Sequence, residues 1–89
     1  MQIVRSASAG TMESSDAYVE IEPGSGGIAL ELESVVYQQF GKSIEDSVRR
    51  VLKEHQVENA SVRIMDRGAL ECVLCARLET AIKRGGEEG

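Results

Sequence analysis

The sequence has few of the residues on which side-chain catalysis and metal binding depend. Among its 89 residues there are two cysteines, one histidine, one phenylalanine and no tryptophan. Two thiols and one imidazole are too few for a structural zinc site, which takes about four side-chain ligands. Because aromatic residues are so scarce, the core has to be built from aliphatic side chains.

Long apolar runs and an excess of basic residues are absent as well. No run of about 18 apolar residues occurs, which excludes a membrane-spanning helix, and residues 1–5 lack the apolar block of a secretory signal. We therefore expect a cytoplasmic protein without a membrane partner. Ten basic residues stand against 15 acidic ones, a net charge of −5. This balance argues against nucleic-acid binding. It is compatible with steering towards a basic protein surface or with solubility alone.

Two segments alternate between apolar and polar residues with a period of two, which is typical of strands with one buried face. They span residues 17–22 and 28–33, and the segment between them is Pro-Gly-Ser-Gly-Gly, a composition that favours turns. We predict that the two strands pair as an antiparallel β-hairpin. The apolar positions are Ala17, Val19, Ile21, Ile28, Leu30 and Leu32.

From Ser34 the apolar residues recur with helical spacing, at Val36, Tyr37, Phe40, Ile44, Val48, Val51, Leu52 and His55. Ser43 and Asp46 could form a capping box that begins a new helix. The stripe keeps its phase through Gly41, however, which favours one long helix that Gly41 can kink.

A strand at 61–65 and a second helix follow. The second helix carries its apolar face from Leu70 to Ile82 and ends with Lys83 and Arg84, which complement the helix dipole. The element order predicts an α+β fold with two helices packed on one face of a small sheet. A chain of this length forms one domain, which we place at residues 1–84, with 85–89 as a flexible tail.

Cys72 and Cys75 form a C-x-x-C pair, which can serve redox or metal chemistry. A thioredoxin-like pair lies at a helix N-terminus, where the dipole lowers the thiol pKa. Here the pattern places both cysteines one turn inside the second helix and on different sides of it. Two reduced helix residues of a cytoplasmic protein explain the pair more simply. A thiol-redox function is kept as an alternative.

Other candidate groups are also explained by structure. His55 lies on the helical stripe, and no serine or cysteine is spaced to form a dyad with it. Four glutamates fall on the outward positions of the predicted hairpin and suit a solvated sheet face better than acid–base catalysis. The glycines at 23–27 match no phosphate-binding motif because no helix follows them. The four glutamates are Glu20, Glu22, Glu31 and Glu33.

Residues 8–16 differ from the rest of the chain, because they are small, polar and acidic. Ser14 and Ser15 offer adjacent hydroxyls without bulky neighbours, and Glu13 and Asp16 keep the segment hydrated. No histidine or lysine lies nearby in sequence to activate a serine nucleophile. The segment suits covalent attachment of a group to a serine better than catalysis, although an ordinary polar loop would have the same composition.

The chain resembles the citrate lyase acyl carrier protein (γ subunit) family over nearly its whole length. The residues that carry the resemblance are the run at 9–16, Gln39-Phe40-Gly41, and the runs at 68–72 and 76–79. In that family a prosthetic group is attached to the serine that corresponds to Ser14. The usual family pattern has glycine where this chain has Ser15, so this chain carries a second hydroxyl beside the attachment position.

The resemblance implies a carrier with no catalytic residue and no metal site of its own. It implies 2′-(5″-phosphoribosyl)-3′-dephospho-coenzyme A, joined to Ser14 through a phosphodiester, with acetyl on its terminal thiol. The α subunit then exchanges acetyl for citryl and releases acetate, and the β subunit cleaves citryl to oxaloacetate and the acetyl carrier. A prosthetic-group transferase and an acetylating ligase are further implied partners. Tethering keeps the substrate at high effective concentration between two active sites.

Two alternatives to this function remain besides thiol-redox chemistry. The carrier subunit of malonate decarboxylase is similar in using the same type of group on a serine, but the runs at 9–14 and 68–72 favour citrate lyase. An ordinary acyl carrier protein fits worse, because it is a helical bundle with its serine at the start of a helix. The other alternative is an αβ interaction module without covalent cargo. For partner contact we expect the acidic strand face and the region around Asp16.

Overall fold

The computed structural model describes residues 1–35 and 37–86 and confirms the α+β class. One helix lies over β1 and β2 and the other lies beside β3, so both pack on the same side of a four-stranded sheet. The elements are β1 (Ala7–Gly10), β2 (Ala17–Pro23), β3 (Ile28–Ser34), α1 (Tyr37–Glu54), β4 (Ala60–Asp66) and α2 (Glu71–Gly85).

The predicted hairpin between residues 17–22 and 28–33 is wrong, because these two strands are not neighbours. The sheet order is β1-β2-β4-β3. β4 lies between them, antiparallel to β2 and parallel to β3, so that Val62 faces Ile21 on one side and Leu30 on the other. Alternation specifies which face of a strand is buried, but it does not specify which strand supplies the partner. The parallel β3–β4 pair is joined by α1, the usual crossover for parallel strands.

The glycine-rich segment after β2 does not make a tight turn but passes across the start of β4. A Cβ on Gly24 would lie 2.9 Å from the carbonyl carbon of Ala60, so only glycine fits this approach without a shift. Gly27 accepts a hydrogen bond from the Ala60 amide at 3.2 Å and donates one to Asn59 Oδ1 at 2.9 Å. The segment therefore holds β2 and β3 one strand apart.

The sequence analysis missed β1, which pairs antiparallel with β2, Ala9 opposite Val19 and Gly10 opposite Tyr18. The true hairpin of the fold is thus β1–β2, and residues 11–16 are its loop. The strand is short and its sequence is Ala-Ser-Ala-Gly. Alanine and glycine are depleted in strands, so no local signal distinguishes this segment from a loop.

The core is aliphatic, as expected from the scarcity of aromatic residues. The largest fully buried side chains are Val19, Ile21, Val48, Val51, Leu52, Val62, Ile64, Leu78 and Ile82. Neither helix, within the part of the chain that the structure describes, is long and apolar enough to span a membrane. The single long helix predicted across Gly41 is confirmed as α1.

Phe40 was expected on the buried stripe of α1, but its side chain is 53% exposed. α2 begins beside Ser47, whose hydroxyl donates to Glu71 Oε1 at 2.5 Å. Phe40 lies seven residues earlier, about 10 Å along the axis of α1 from this contact. The neighbouring Gly41 is buried, so the covered side of α1 passes through Gly41 and not through Phe40 at this point. Val36, another member of the stripe, lies outside the described residues.

Gly85 and Gly86 belong to the fold and not to a tail. Gly85 is the last residue of α2, and Gly86 forms a β-bridge with Ile3. A Cβ on Gly85 would lie 3.0 Å from the carbonyl oxygen of Arg5, so the N-terminal segment packs directly on the glycine backbone. The expectation for residues 87–89 lies outside the described residues.

Candidate functional site

The two serines singled out in the sequence lie in the 11–16 loop, at one edge of the sheet. In the register of the sheet, Ala17 of β2 stands opposite Asp66 of β4, which stands opposite Ser34 of β3. The 11–16 loop therefore shares this edge with residues 67–70, which lead into α2, and with Val35, which precedes α1. We call this edge the loop end of the molecule.

The 11–16 loop is closed by hydrogen bonds among its own residues. The Thr11 hydroxyl donates to Asp16 Oδ2 at 2.7 Å and accepts from the Glu13 amide at 3.2 Å. The Asp16 amide donates to the Glu13 carbonyl at 3.2 Å. Side-chain oxygens of threonine and aspartate commonly bond to nearby backbone in this way. Hydrogen bonds among its own residues therefore hold the loop in shape, although residues 11–15 are exposed.

Main-chain bonds join the loop to the segment after β4. The Ser15 amide donates to the Arg67 carbonyl at 2.8 Å, and the Arg67 amide donates to the Asp16 carbonyl at 2.9 Å. On the other side, Asp66 anchors the same segment, since its Oδ1 accepts from the Ala69 amide at 2.9 Å. The backbone that follows Ser14 is therefore tied to the sheet edge.

Asp16 is the centre of the loop end. Arg77 of α2 donates two hydrogen bonds to the Asp16 carboxylate, Nε to Oδ1 at 3.1 Å and Nη2 to Oδ2 at 3.3 Å. Oδ1 also accepts from the Ala17 amide at 2.7 Å. The bonds from Arg77, then from Thr11 and Ala17, lower the pKa of Asp16 from 3.8 to about 2. Asp16 was expected to keep the segment hydrated and to contact partners. Its side chain is instead only 14% exposed and is used within the fold.

Asp16→Asn is expected to remove a pH dependence of stability. Because the pKa of Asp16 is lowered in the folded state, its ionised form stabilises the fold above pH 4, and this contribution is lost as the pH falls from about 4 to about 2. Urea unfolding at pH 6 and at pH 2.5 measures the effect. Wild type should exceed Asp16→Asn in stability at pH 6, and the difference should shrink at pH 2.5.

Asp46→Asn is the matched control for this prediction. Asp46 is exposed on α1 and makes no hydrogen bond or ion pair with any described residue. Its replacement should leave the difference from wild type small at both pH values. A difference between wild type and Asp16→Asn that stays constant from pH 6 to pH 2.5 would contradict the role assigned to the Asp16 carboxylate.

Ser14 and Ser15 are both exposed, and neither hydroxyl is hydrogen-bonded to a described residue, but their backbones differ. Ser15 has φ 66°, in the left-handed region that favours glycine, and its amide is bonded to Arg67. Ser14 makes no main-chain hydrogen bond to a described residue. Ser15 therefore acts as the pivot of the loop, and Ser14 presents its hydroxyl at the tip.

Ser15→Gly is expected to raise stability slightly. Glycine removes the left-handed strain of about 1 kcal/mol, and the greater freedom of the unfolded chain offsets part of that gain. We expect a net increase in the free energy of unfolding on the order of 0.5 kcal/mol, measured by urea denaturation.

The control is Ser61→Gly, at an exposed position of β4 with extended backbone. Glycine there should lower stability by about 0.5–1 kcal/mol, since it gains nothing and costs chain entropy. If both replacements lower stability equally, Ser15 is not strained in the way described.

The loop end also carries exposed apolar side chains. Leu70 is 71% and Val35 is 62% exposed, and Phe40 and Met12 are exposed as well. Val35 precedes α1, Leu70 precedes α2 and Met12 belongs to the 11–16 loop. Sequence periodicity assigned Leu70 and Phe40 to buried helix faces and so did not predict that both side chains are exposed.

Comparison with known proteins assigns the chain to a family. A family model described as malonate decarboxylase delta subunit matches residues 4–85. The chain is 52% identical over 89 residues to citrate lyase acyl carrier protein 2 of Salmonella typhimurium, covering 99% of this chain and 92% of that protein. It is 46% identical over 87 residues to the citrate lyase acyl carrier protein of Lactococcus lactis, covering 98% and 91%. The chain belongs to the citrate lyase acyl carrier protein family.

The resemblance stated from the sequence motifs is thereby confirmed, and membership supports an acyl carrier role for the chain. The fold has a solved counterpart in the crystal structure of a Pseudomonas malonate decarboxylase hetero-tetramer in complex with malonate. The match has a TM-score of 0.80 and covers 97% of this chain and 93% of the matched chain, at 22% identity. At that identity the likeness concerns the fold alone.

The two cysteines are free thiols in the first turns of α2. α2 begins at Glu71, so the expectation that both lie one turn inside the helix is wrong for Cys72, which falls in the first turn and is exposed. Cys75 packs against the core, and burial raises the pKa of its thiol, opposed in part by Arg50. This shift is opposite in direction to that of an activated thiol, so Cys75 is not a candidate nucleophile. Among the described residues, no group of three or more potential ligands lies close enough together to hold a metal ion.

The glutamates of β2 and β3 do lie on the outward face of the sheet, although β4 separates the two strands. Arg63 of β4 stands between them and contacts Glu31 at 3.1 Å (Nε to Oε2) and Glu20 at 4.0 Å (Nη1 to Oε1). These pairs are exposed and so contribute little to stability. His55 lies near the end of α1, at the opposite edge of the sheet from the 11–16 loop, and is half-buried.

Proposed function

We propose that this chain is the acyl carrier subunit of citrate lyase and that Ser14 is the attachment point of its prosthetic group. The observation that carries the proposal is the near full-length likeness to proteins named citrate lyase acyl carrier protein. The proposal is also supported by the Ser14 hydroxyl, which is exposed at the tip of a loop that hydrogen bonds hold in place. The proposed group is 2′-(5″-phosphoribosyl)-3′-dephospho-coenzyme A, linked through a phosphodiester.

The residues around Ser14 fit such a group. The hydroxyl is exposed and has no partner among the described residues, so a transferase can reach it without breaking a bond of the fold. Asp16 is held by Arg77 and the Ala17 amide, so it is not available as a base for Ser14. The bound group would supply the thiol that carries the acyl chain. The residues of this chain would anchor the prosthetic group and keep its attached end at the loop end of the molecule.

The proposed partners are the α subunit, which exchanges acetyl for citryl, and the β subunit, which cleaves the citryl thioester. A prosthetic-group transferase and an acetylating ligase act on the carrier before it enters the cycle. We place the complex in the cytoplasm. The chain itself would contribute no catalytic residue, because a tether that brings one thioester to two active sites at high effective concentration is sufficient for the role.

The acyl group on the holo protein tests this proposal. The holo carrier and the α subunit are isolated from the native host, the carrier is acetylated, the two are incubated with citrate or with malonate, and the mass of the intact carrier is measured. We expect citrate to convert the acetyl carrier to citryl when the β subunit is left out, and malonate to leave it unchanged. Conversion by malonate alone would overturn the assignment to citrate lyase and favour a carrier of malonate decarboxylase, the second candidate.

A further inference from the structure

Attachment of a phosphodiester at Ser14 would add an anion to a loop that already carries acidic residues. Glu13 precedes Ser14, is exposed and has no ion pair with a described residue. Asp16 is neutralised by Arg77, and that contact uses two nitrogens of the guanidinium. An anion at the loop tip is therefore left beside Glu13, and it would be stabilised by a cation that the fold does not already use.

Arg67 is such a cation. Its backbone is bonded to both Ser15 and Asp16, at 2.8 and 2.9 Å, which places its Cα against the residues that follow Ser14. Its side chain is exposed and forms no ion pair or hydrogen bond with any described residue. Glu33 lines a small cavity of about 100 Å³ together with Arg67, but the two side chains do not form an ion pair.

The other arginines near the loop end are occupied. Arg77 is held by Asp16. Arg50 lies 4.0 Å (Nη2 to Oε1) from Glu71, the first residue of α2, and donates to Cys75 Sγ at 3.7 Å. Using either of these for an anion at Ser14 would break a contact of the fold, whereas using Arg67 breaks none.

We propose that the guanidinium of Arg67 binds the phosphodiester at Ser14 and so holds the base of the prosthetic group against the 11–16 loop. The inference rests on the proposed function, since it needs an anion at Ser14. Arginine suits the task because its planar fork can donate two hydrogen bonds to phosphate oxygens, whereas lysine acts as a point charge. Arg67 is on this account a positioning residue.

Nuclear magnetic resonance on the holo protein from the native host tests the contact. Two signals are measured, the Arg67 Nε–H resonance in apo and holo protein, and the phosphorus transverse relaxation rate of the phosphodiester. The variants are Arg67→Gln, which removes the charge, and Arg67→Lys, which keeps it without the fork. Arg49→Gln is the matched control, because Arg49 is exposed on α1 and paired only with Glu45.

We expect the Arg67 Nε–H resonance to shift between apo and holo protein and the Arg49 resonance to stay in place. In Arg67→Gln the phosphorus relaxation rate should fall about twofold, as the base of the group gains fast motion. Arg67→Lys should give an intermediate rate, and Arg49→Gln the wild-type rate. High salt should reduce the difference between wild type and Arg67→Gln, because exposed charge contacts are screened.

An unshifted Arg67 resonance, together with equal relaxation in wild type and Arg67→Gln, would overturn the inference. That result leaves the proposed function standing, because the phosphodiester signal is still present at Ser14. A protein from the native host with no phosphodiester signal would instead contradict the proposed function itself. The two failures are thus distinguishable in one set of samples.

Discussion

Ser14→Ala is expected to reduce citrate cleavage by the assembled complex to the level measured without any carrier. The replacement removes the only atom to which the proposed group is joined, so no other residue can compensate for it. Because the Ser14 hydroxyl makes no hydrogen bond to a described residue, the fold should be unaffected. Turnover of citrate by a complex rebuilt with the variant, together with its urea unfolding curve, measures both parts of the prediction.

Ser15 supplies the matched control for this experiment. Ser15→Ala keeps Ser14 and removes the neighbouring hydroxyl, so turnover should remain near wild type, with a small loss of stability from alanine at φ 66°. Ser15→Gly should keep turnover as well. Loss of turnover in Ser15→Ala with retention in Ser14→Ala would move the attachment point by one residue.

Gly10→Ala is expected to have the largest effect on stability. Gly10 has φ 93°, and a Cβ there would collide with the carbonyl oxygen of Ala17 and lie 3.3 Å from Cδ of Arg77. Left-handed strain costs about 1–2 kcal/mol and forced overpacking about 1–3 kcal/mol more. The sum, about 2–5 kcal/mol, is a large share of the stability of a small domain. Urea unfolding at neutral pH measures it.

Gly26→Ala separates the two causes. Gly26 has φ 81°, but a Cβ there would have nothing within 4 Å. Its replacement should therefore cost only the strain of about 1–2 kcal/mol. If Gly10→Ala and Gly26→Ala lower the free energy of unfolding equally, the close packing of the β1–β2 hairpin around Gly10 is not as described.

The sequence predicted which face of each strand is buried, but it did not predict which strands lie side by side in the sheet. Alternation in 17–22 and 28–33 predicted the buried positions, and Val19 and Ile21 are fully buried. Strand order depends on long-range pairing, here the insertion of β4, which is 32 residues from its partners in β3 and 37–49 residues from its partners in β2. A period-two pattern fits both a hairpin and strands held apart by a third.

The site was predicted as a segment but not as a structure. Small and acidic residues marked 8–16, and the family motif selected Ser14. The contact of Arg77 with Asp16, which holds the loop against α2, could not be predicted, because the two residues are 61 positions apart in sequence. At Ser15, in contrast, the residue preference of the family has a local cause. The usual family pattern has glycine at this position because the backbone there is left-handed, with φ 66° in this chain, and glycine adopts that conformation most easily.

The most direct test of the central claim is the location of the added group in protein from the native host grown on citrate. Trypsin releases residues 6–42 as one peptide, which contains both serines, and fragmentation that preserves the phosphodiester assigns the added mass to one of them. The account predicts a phosphoribosyl-dephospho-coenzyme A increment on Ser14 and an unmodified Ser15. An unmodified peptide from cells with active citrate lyase, or the increment on Ser15, would contradict it.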